Sequence, residues 1–136
     1  MANGILIVDD AAFMRMMIKD VLTKNGYTVL GEAENGAKAI EKFKELTPDL
    51  VIMDITMPEV DGIVAARVIR EFEQREGHPP AKILALTADV LEETWSQAME
   101  AGVDAVLEKP ISPEALRRAL ADVARPDRDL VGQPAA

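Results

Sequence analysis

Apolar residues along this chain follow two alternating rhythms. Five short runs punctuate it, Ile5 to Val8, Thr28 to Leu30, Leu50 to Met53, Ile83 to Leu86 and Ala105 to Leu107, and four of them are continuous rather than alternating. Continuous apolar runs of this length suit strands buried on both faces of a parallel sheet. The segments between them carry a helical period. Met14, Met17, Ile18, Val21 and Leu22 form one stripe, which Asn25-Gly26 terminates. Ala39, Ile40, Phe43 and Leu46 mark a second helix from Ala37 to Leu46, ending before Pro48. A third is predicted from about Gly62 to Arg75, a fourth from about Leu91 to Ala101 with Gly102 as its stop, and a fifth from Pro113 to Ala124.

A βα unit repeated in one register, joined by right-handed crossovers, gives a parallel sheet with helices on both faces. The prediction is a three-layer α/β domain over residues 1–124. Glu76-Gly77-His78-Pro79-Pro80 reads as a loop, and residues 125–136, polar and proline-interrupted, as a frayed or disordered tail. The length of 136 residues suits one domain, and 49% apolar with 29% charged residues is a globular composition. The chain has no cysteine, which removes disulfides, thiolate metal sites and a thiol nucleophile together. A formal charge of -9 disfavours nucleic acid and anionic lipid as partners. No apolar stretch is long enough to span a bilayer and the N-terminus has no secretory pattern, so the expected location is cytoplasmic.

Chemistry enters at the ends of the predicted strands, because open parallel sheets bind ligands beyond the carboxyl ends of their strands. The first run ends in Asp9-Asp10, the third in Asp54, the fourth in Thr87 and the fifth in Glu108-Lys109-Pro110. Singly, each has an ordinary explanation: Asp10 or Thr87 as a helix cap, Lys109 as a solvated charge. Together, three acids on one rim repel each other, and a divalent cation relieves that repulsion. Oxygen ligands without histidine or thiolate select a hard ion, Mg²⁺ above all. Such an ion keeps open positions and suits phosphoryl chemistry, with Lys109, the Thr87 hydroxyl and backbone amides facing the phosphate. With no cysteine, and with the one histidine, His78, in a distant loop, the nucleophile is a carboxylate, and Asp54 on the central strand is the best candidate.

Asp9-Asp10, Asp54 after Val51-Ile52-Met53, Met57-Pro58 with Asp61-Gly62, Leu86-Thr87-Ala88 and Lys109-Pro110 together resemble the receiver domain of two-component response regulators, over about residues 4 to 124. The resemblance implies a flavodoxin-like fold with strand order 2-1-3-4-5. It implies that Asp54 accepts a phosphoryl group from the phosphohistidine of a histidine kinase, from a phosphotransfer protein or from a small phosphodonor. Asp10, Asp54 and the main-chain carbonyl of Thr56 would bind Mg²⁺, with Asp9 acting through water. Thr87 would bond the phosphate, Lys109 would pair with it, and the Lys109-Pro110 bond would be cis. Thr56 and Asp89 flank the site where related domains tune attack by water. The module is then a phosphoacceptor that catalyses only its own phosphorylation and dephosphorylation. Its output passes to a protein target through the face of the fourth helix, fifth strand and fifth helix.

Where related receivers often carry an aromatic three residues before the lysine, this chain has Val106, whose stiff side chain shifts the expected signal to the segment after Thr87 and the fourth helix. The first half resembles stand-alone chemotaxis receivers. The second half, through Ala101-Gly102-Val103-Asp104 and Lys109-Pro110-Ile111, is closer to receivers of hybrid kinases, as in an unusual natural chain or a fusion of two halves. Phe13 and Met16, off the core stripe beside Asp10, read as a docking patch for kinase helices. Trp95 divides evenly between core and output surface, His78 reads as a solvated loop residue, and Arg117-Arg118 as an exposed helix face. Two rivals remain. A Mg²⁺-dependent aspartyl-phosphate phosphohydrolase typically places a second acid two residues after its nucleophile, where this chain has Thr56. A flavin binder needs a phosphate loop where Asp9-Asp10 would repel the phosphate.

Overall fold

The structure is a computed structural model, and it describes residues 4–55, 62–88 and 92–124. Its elements alternate strictly: β1 (Gly4–Val8), α1 (Ala12–Lys24), β2 (Thr28–Ala33), α2 (Gly36–Leu46), β3 (Leu50–Asp54), α3 (Gly62–Glu76), β4 (Lys82–Thr87), α4 (Glu92–Glu100), β5 (Ala105–Glu108) and α5 (Pro113–Ala124). All pairings are parallel, in the order β2-β1-β3-β4-β5.

Strand alternation sorts the core into two layers. Ile5 and Ile7 of β1, Ile52 of β3 and Leu84 and Leu86 of β4 face α1 and α5, packing on Ile18, Leu22, Leu116 and Leu120. Leu6, Val8, Val51, Met53, Ile83 and Ala85 point the other way, onto Ala39 and Phe43 of α2, Ala65, Ala66 and Ile69 of α3, and Ala98 of α4. Both faces of β1 and β3 are therefore dry, which is why their sequences are continuous rather than alternating. Local signals agree with this layering. Asn35 caps α2 by accepting from the Lys38 amide at 2.8 Å, and Ser112 accepts from Ala115 at 3.0 Å, directly before Pro113 opens α5.

The clearest departure from the sequence reading is β2, which runs three residues past Leu30 to Ala33. Gly31 and Glu32 interrupt the apolar run, but an edge strand has only one neighbour and tolerates polar residues. The register against β1 shifts at this point: Ile5 pairs with Val29 and Leu6 with Gly31, so Leu30 is passed over and stands exposed. The other edge, β5, is likewise only half-buried. The expected tail, residues 125–136, lies outside the described residues. No helix among the described residues is long and apolar enough to cross a membrane.

Candidate functional site

Parallel register brings the strand ends together. Val8 pairs with Met53, so Asp9 and Asp54 emerge side by side from β1 and β3. Asp54 pairs with Leu86, which sets Thr87 one step further along, and Thr87 pairs with Glu108, just before Lys109. Because the chain leaves β1 toward β2 on one side while β3 lies on the other, these ends flank the topological switch point of the sheet. Gly62 closes the approach from beneath. A Cβ there would lie 2.7 Å from the Asp54 carbonyl oxygen and 2.6 Å from the Ile55 Cα, so only glycine lets the start of α3 sit this near the end of β3.

Asp9, Asp10 and Asp54 each offer a carboxylate oxygen, and these oxygens lie within 4.8 Å of one another. Asp9 and Asp54 are buried, as is Thr87, while Asp10 is exposed. The Lys109 ammonium donates to Asp9 Oδ2 at 3.1 Å and to Asp54 Oδ2 at 3.0 Å. Its backbone N–H donates to the Thr87 carbonyl at 2.7 Å, and the Lys109–Pro110 peptide is cis. Asp9 Oδ1 accepts from the Ala11 amide at 2.9 Å.

Electrostatically the cluster is unbalanced, three carboxylates facing one ammonium. At an effective dielectric near 20, two unit charges this far apart repel by about 3 kcal/mol. Burial pushes the Asp9 carboxyl above its ordinary value, against the Ala11 N–H and Lys109, which pull it back. Burial alone would lower the Lys109 ammonium, but its bonds to Asp54 and then Asp9 outweigh that and hold it above the usual range. All the offered donors are oxygens and two of the three are buried, so the residues present fit a hard divalent cation.

Of the site residues expected from sequence, Asp9, Asp10, Asp54, Thr87 and Lys109 therefore converge on one rim. Thr56 and Asp89 lie outside the described residues. The alternative capping role of Asp10 is not taken up: Ala11, not Asp10, occupies the cap position of α1 and makes no side-chain cap bond. The alternative cap of the fourth helix by Thr87 falls on a segment outside the described residues.

The response regulator receiver domain family matches residues 5–121. The chain belongs to that family. It is 49% identical over 120 residues to the chemotaxis protein CheY of Bacillus subtilis (strain 168), covering 88% of this chain and 96% of that protein, and so spans both halves of the sequence. A chain of the crystal structure of the CheX–CheY–BeF3–Mg²⁺ complex from Borrelia burgdorferi superposes with a TM-score of 0.78 at 28% identity, covering 87% of each chain. The co-crystal structure of the Saccharomyces cerevisiae phosphotransfer protein Ypd1 with the receiver domain of Ssk1 gives 0.82 at 29% identity, covering 90% of this chain and 88% of that one.

Around the receiver site, Phe13 is 72% exposed and Met16 is also exposed, so the pair is not tucked under a loop. Trp95 is 38% exposed beside exposed Met99, so it does not complete the core. Arg117 and Arg118 lie on the exposed face of α5 and pair with Glu114. His78 differs from expectation. Its ring is half-buried and stacks on Phe72, centroids 5.4 Å apart, because the turn after α3 folds back on that helix.

Sequence reasoning passed over Arg15 and Glu32. The Arg15 guanidinium donates to the Asp9 carbonyl at 2.7 Å and to Glu32 Oε1 at 3.0 Å. The available signal was a basic residue at the edge of the apolar stripe of α1, one turn after the acidic pair.

Proposed function

We propose that Asp54 is the residue at which this phospho-accepting receiver domain takes up its phosphoryl group, from the phosphohistidine of a kinase or phosphotransfer protein. The observation that carries this is a buried aspartate at the end of the central strand, held by Lys109 inside an all-oxygen acidic cluster. An Asp54 oxygen forms the new bond to phosphorus. The bond from phosphorus to the donor histidine nitrogen breaks, and the ring nitrogen keeps the electron pair. A carboxylate is already ionised at neutral pH, so the step needs no general base. Asp10 and Asp54, joined as in the family by Asp9 through water and by the Thr56 carbonyl, would hold magnesium, which when bound neutralises charge on the phosphoryl oxygens. Lys109 then turns its ammonium from the carboxylates to the phosphoryl group, and the Thr87 hydroxyl adds a hydrogen bond.

In this reading residues 1–124 are the receiver, working in the cytoplasm and, like its curated relative, in chemotaxis. Phe13 and Met16 meet the phosphodonor protein beside the acidic rim. Output passes to a protein target through α4, β5 and α5, where Trp95 and Met99 are exposed. Transfer to Asp54 and its later hydrolysis are the only reactions the domain promotes, which separates it from a phosphohydrolase acting on a separate substrate.

Incubation with acetyl phosphate and Mg²⁺, followed by intact mass, tests the proposal. One phosphoryl group per chain, mapped to Asp54, is expected. Multiple turnover of the donor without a stable adduct, or a phosphoryl group on another residue, would overturn it.

A further inference from the structure

The end of β1 is fixed more completely than a metal-binding turn requires by its own backbone. Each hydrogen-bonding group of Asp9 is engaged. Its N–H donates to the Ala33 carbonyl at 3.1 Å, Oδ1 accepts from Ala11, Oδ2 accepts from Lys109, and its carbonyl accepts from Arg15 Nη1 at 2.7 Å. Asp10, by contrast, is exposed and makes no hydrogen bond or ion pair with another described residue. What orients Asp10 is the peptide plane that joins it to Asp9, and the direction of the Asp9 carbonyl is the direction of that plane.

We propose that Arg15 is a positioning residue for the cation site: by holding the Asp9 carbonyl it sets the Asp9–Asp10 peptide, and so aims the Asp10 carboxylate at the position a divalent cation would occupy between Asp10 and Asp54. Arg15 is itself held from a second element. Glu32 Oε1 accepts from its Nε at 3.0 Å, Glu32 Oε2 lies 3.7 Å from the Lys19 ammonium, and Glu32 adjoins Ala33, whose carbonyl takes the Asp9 N–H. The last two residues of β2 thus hold the turn from both sides, one directly and one through Arg15. The arginine side chain is 18% exposed, so its bond to the carbonyl is charge-assisted and partly shielded from water. A flexible ammonium cannot reproduce this, since only a planar fork can reach Glu32 and the carbonyl together.

The inference rests on the reading of Asp9, Asp10 and Asp54 as a magnesium site, so that reading is measured first. Calorimetric titration of the full chain with Mg²⁺ alone gives the affinity of the wild type and of Asp10→Ala. Wild-type protein that does not bind Mg²⁺, or Asp10→Ala that binds it equally well, removes the site and the inference with it. With the site present, Arg15→Gln is expected to bind Mg²⁺ about tenfold more weakly, the effect typical of losing a group that orients a metal ligand. Labelling by acetyl phosphate at saturating Mg²⁺ should then recover to within twofold of wild type. Mg²⁺ affinity within twofold of wild type in Arg15→Gln overturns the inference alone. So does a labelling rate that stays low at saturation, since Arg15 would then act on transfer itself. Should Arg15→Gln fail to fold, Glu32→Ala decides. It leaves the arginine in place but unanchored, and a threefold or greater loss of affinity supports the inference, whereas wild-type affinity overturns it.

Discussion

The sheet carries a charged cluster at each end, and the two are built on opposite plans. At the amino ends of β4 and β5, Arg70 spends every N–H it has. Nε and Nη2 donate to the Gly102 carbonyl, Nη1 to Glu73 Oε1 and the Ala81 carbonyl, and Nη2 also to Asp104 Oδ2. The acids are satisfied in turn, Glu73 Oε2 by the Ala81 amide at 2.7 Å and Asp104 Oδ2 by the Ile83 amide at 2.8 Å. Gly102 has φ +104°, and a Cβ there would lie 2.7 Å from the Arg70 Cγ, so a glycine admits the arginine. At the carboxyl ends, two buried acids share one lysine while the third, the exposed Asp10, faces water. The first cluster is closed by its own donors. The second carries a charge excess that only something from outside can complete, and that difference separates a structural network from a working site.

The sharpest way to break this comparison is to neutralise one charge at each end. Asp54→Asn keeps the shape of the carboxylate but cannot attack phosphorus. Phosphoryl uptake from acetyl phosphate should fall to background by intact mass, while the metal-free protein should unfold in urea no earlier than wild type, because one of three crowded charges is gone. Wild-type uptake in this variant would sink the site assignment.

Arg70→Met should do the reverse. It strands the buried Glu73 without its cation, and removing one partner of a buried pair costs about 3 to 5 kcal/mol. Urea unfolding should show that loss, and whatever fraction remains folded should still take up phosphate. A loss under about 1 kcal/mol would mean that the closed cluster is ornamental and that the contrast between the two ends is false.

Magnesium should distinguish the ends without mutation. Only the folded chain assembles Asp9, Asp10 and Asp54, so the ion stabilises by mass action, by about 2.7 kcal/mol at a hundred times its dissociation constant. The melting temperature should rise in wild type and in a milder variant of the closed end, Asp104→Asn, but hardly in Asp10→Ala. Equal rises in wild type and Asp10→Ala would remove the acidic rim from consideration as the cation site.

Proton binding offers a gentler version of the same test. Burial raises Asp9 in the folded state, so the folded chain holds that proton more tightly than the unfolded one. The ionised group therefore detracts from stability at neutral pH in chelator, and the penalty fades as pH falls through the raised folded value toward the ordinary aspartate range near 4. Asp9→Asn should be more stable than wild type at pH 7 in chelator, with the gap closing on acidification. Lys109 runs the other way. Its raised folded value means that its contribution is fully present below the ordinary lysine range and is lost as pH rises through the folded value. A gap that widens on acidification would contradict the burial argument for Asp9.

The two ends also differ in how readable they were. The acidic rim was legible because strand ends in an open parallel sheet can be counted from the runs alone, and the pair Asp9-Asp10, then Asp54, Thr87 and Lys109, stand at the ends of four of them. The layer order was legible through the two periods. The Arg70 cluster was not, because its bonds run from a side chain to the carbonyls of Ala81 and Gly102 and leave no periodic trace. Arg15 was hidden for the same reason, its partner being the Asp9 carbonyl. The extent of β2 was missed because Leu30 is passed over in the pairing, and His78 because stacking on Phe72 is set by the return of the chain after α3.

The smallest expected effect concerns how the open end communicates. Val106 is half-buried against the core and offers no aromatic to change rotamer, so under the proposed function the signal from the rim is expected to pass through Thr87 and α4. That helix is the least anchored of the five: Ala98 is its only buried residue among those described, and Trp95 and Met99 look outward. Under the proposed function, Thr87, buried at the end of β4, would gain a bond to the phosphoryl group only in the phosphorylated state, and a contact made in one state alone is what can shift a population. Fluoroberyllate with Mg²⁺ should therefore change Trp95 fluorescence by a modest fraction. Thr87→Ala should shrink that change while leaving phosphoryl transfer to Asp54 intact, because the hydroxyl is not the nucleophile. A response that survives undiminished in Thr87→Ala would route the signal past β4, through β5 and α5 instead.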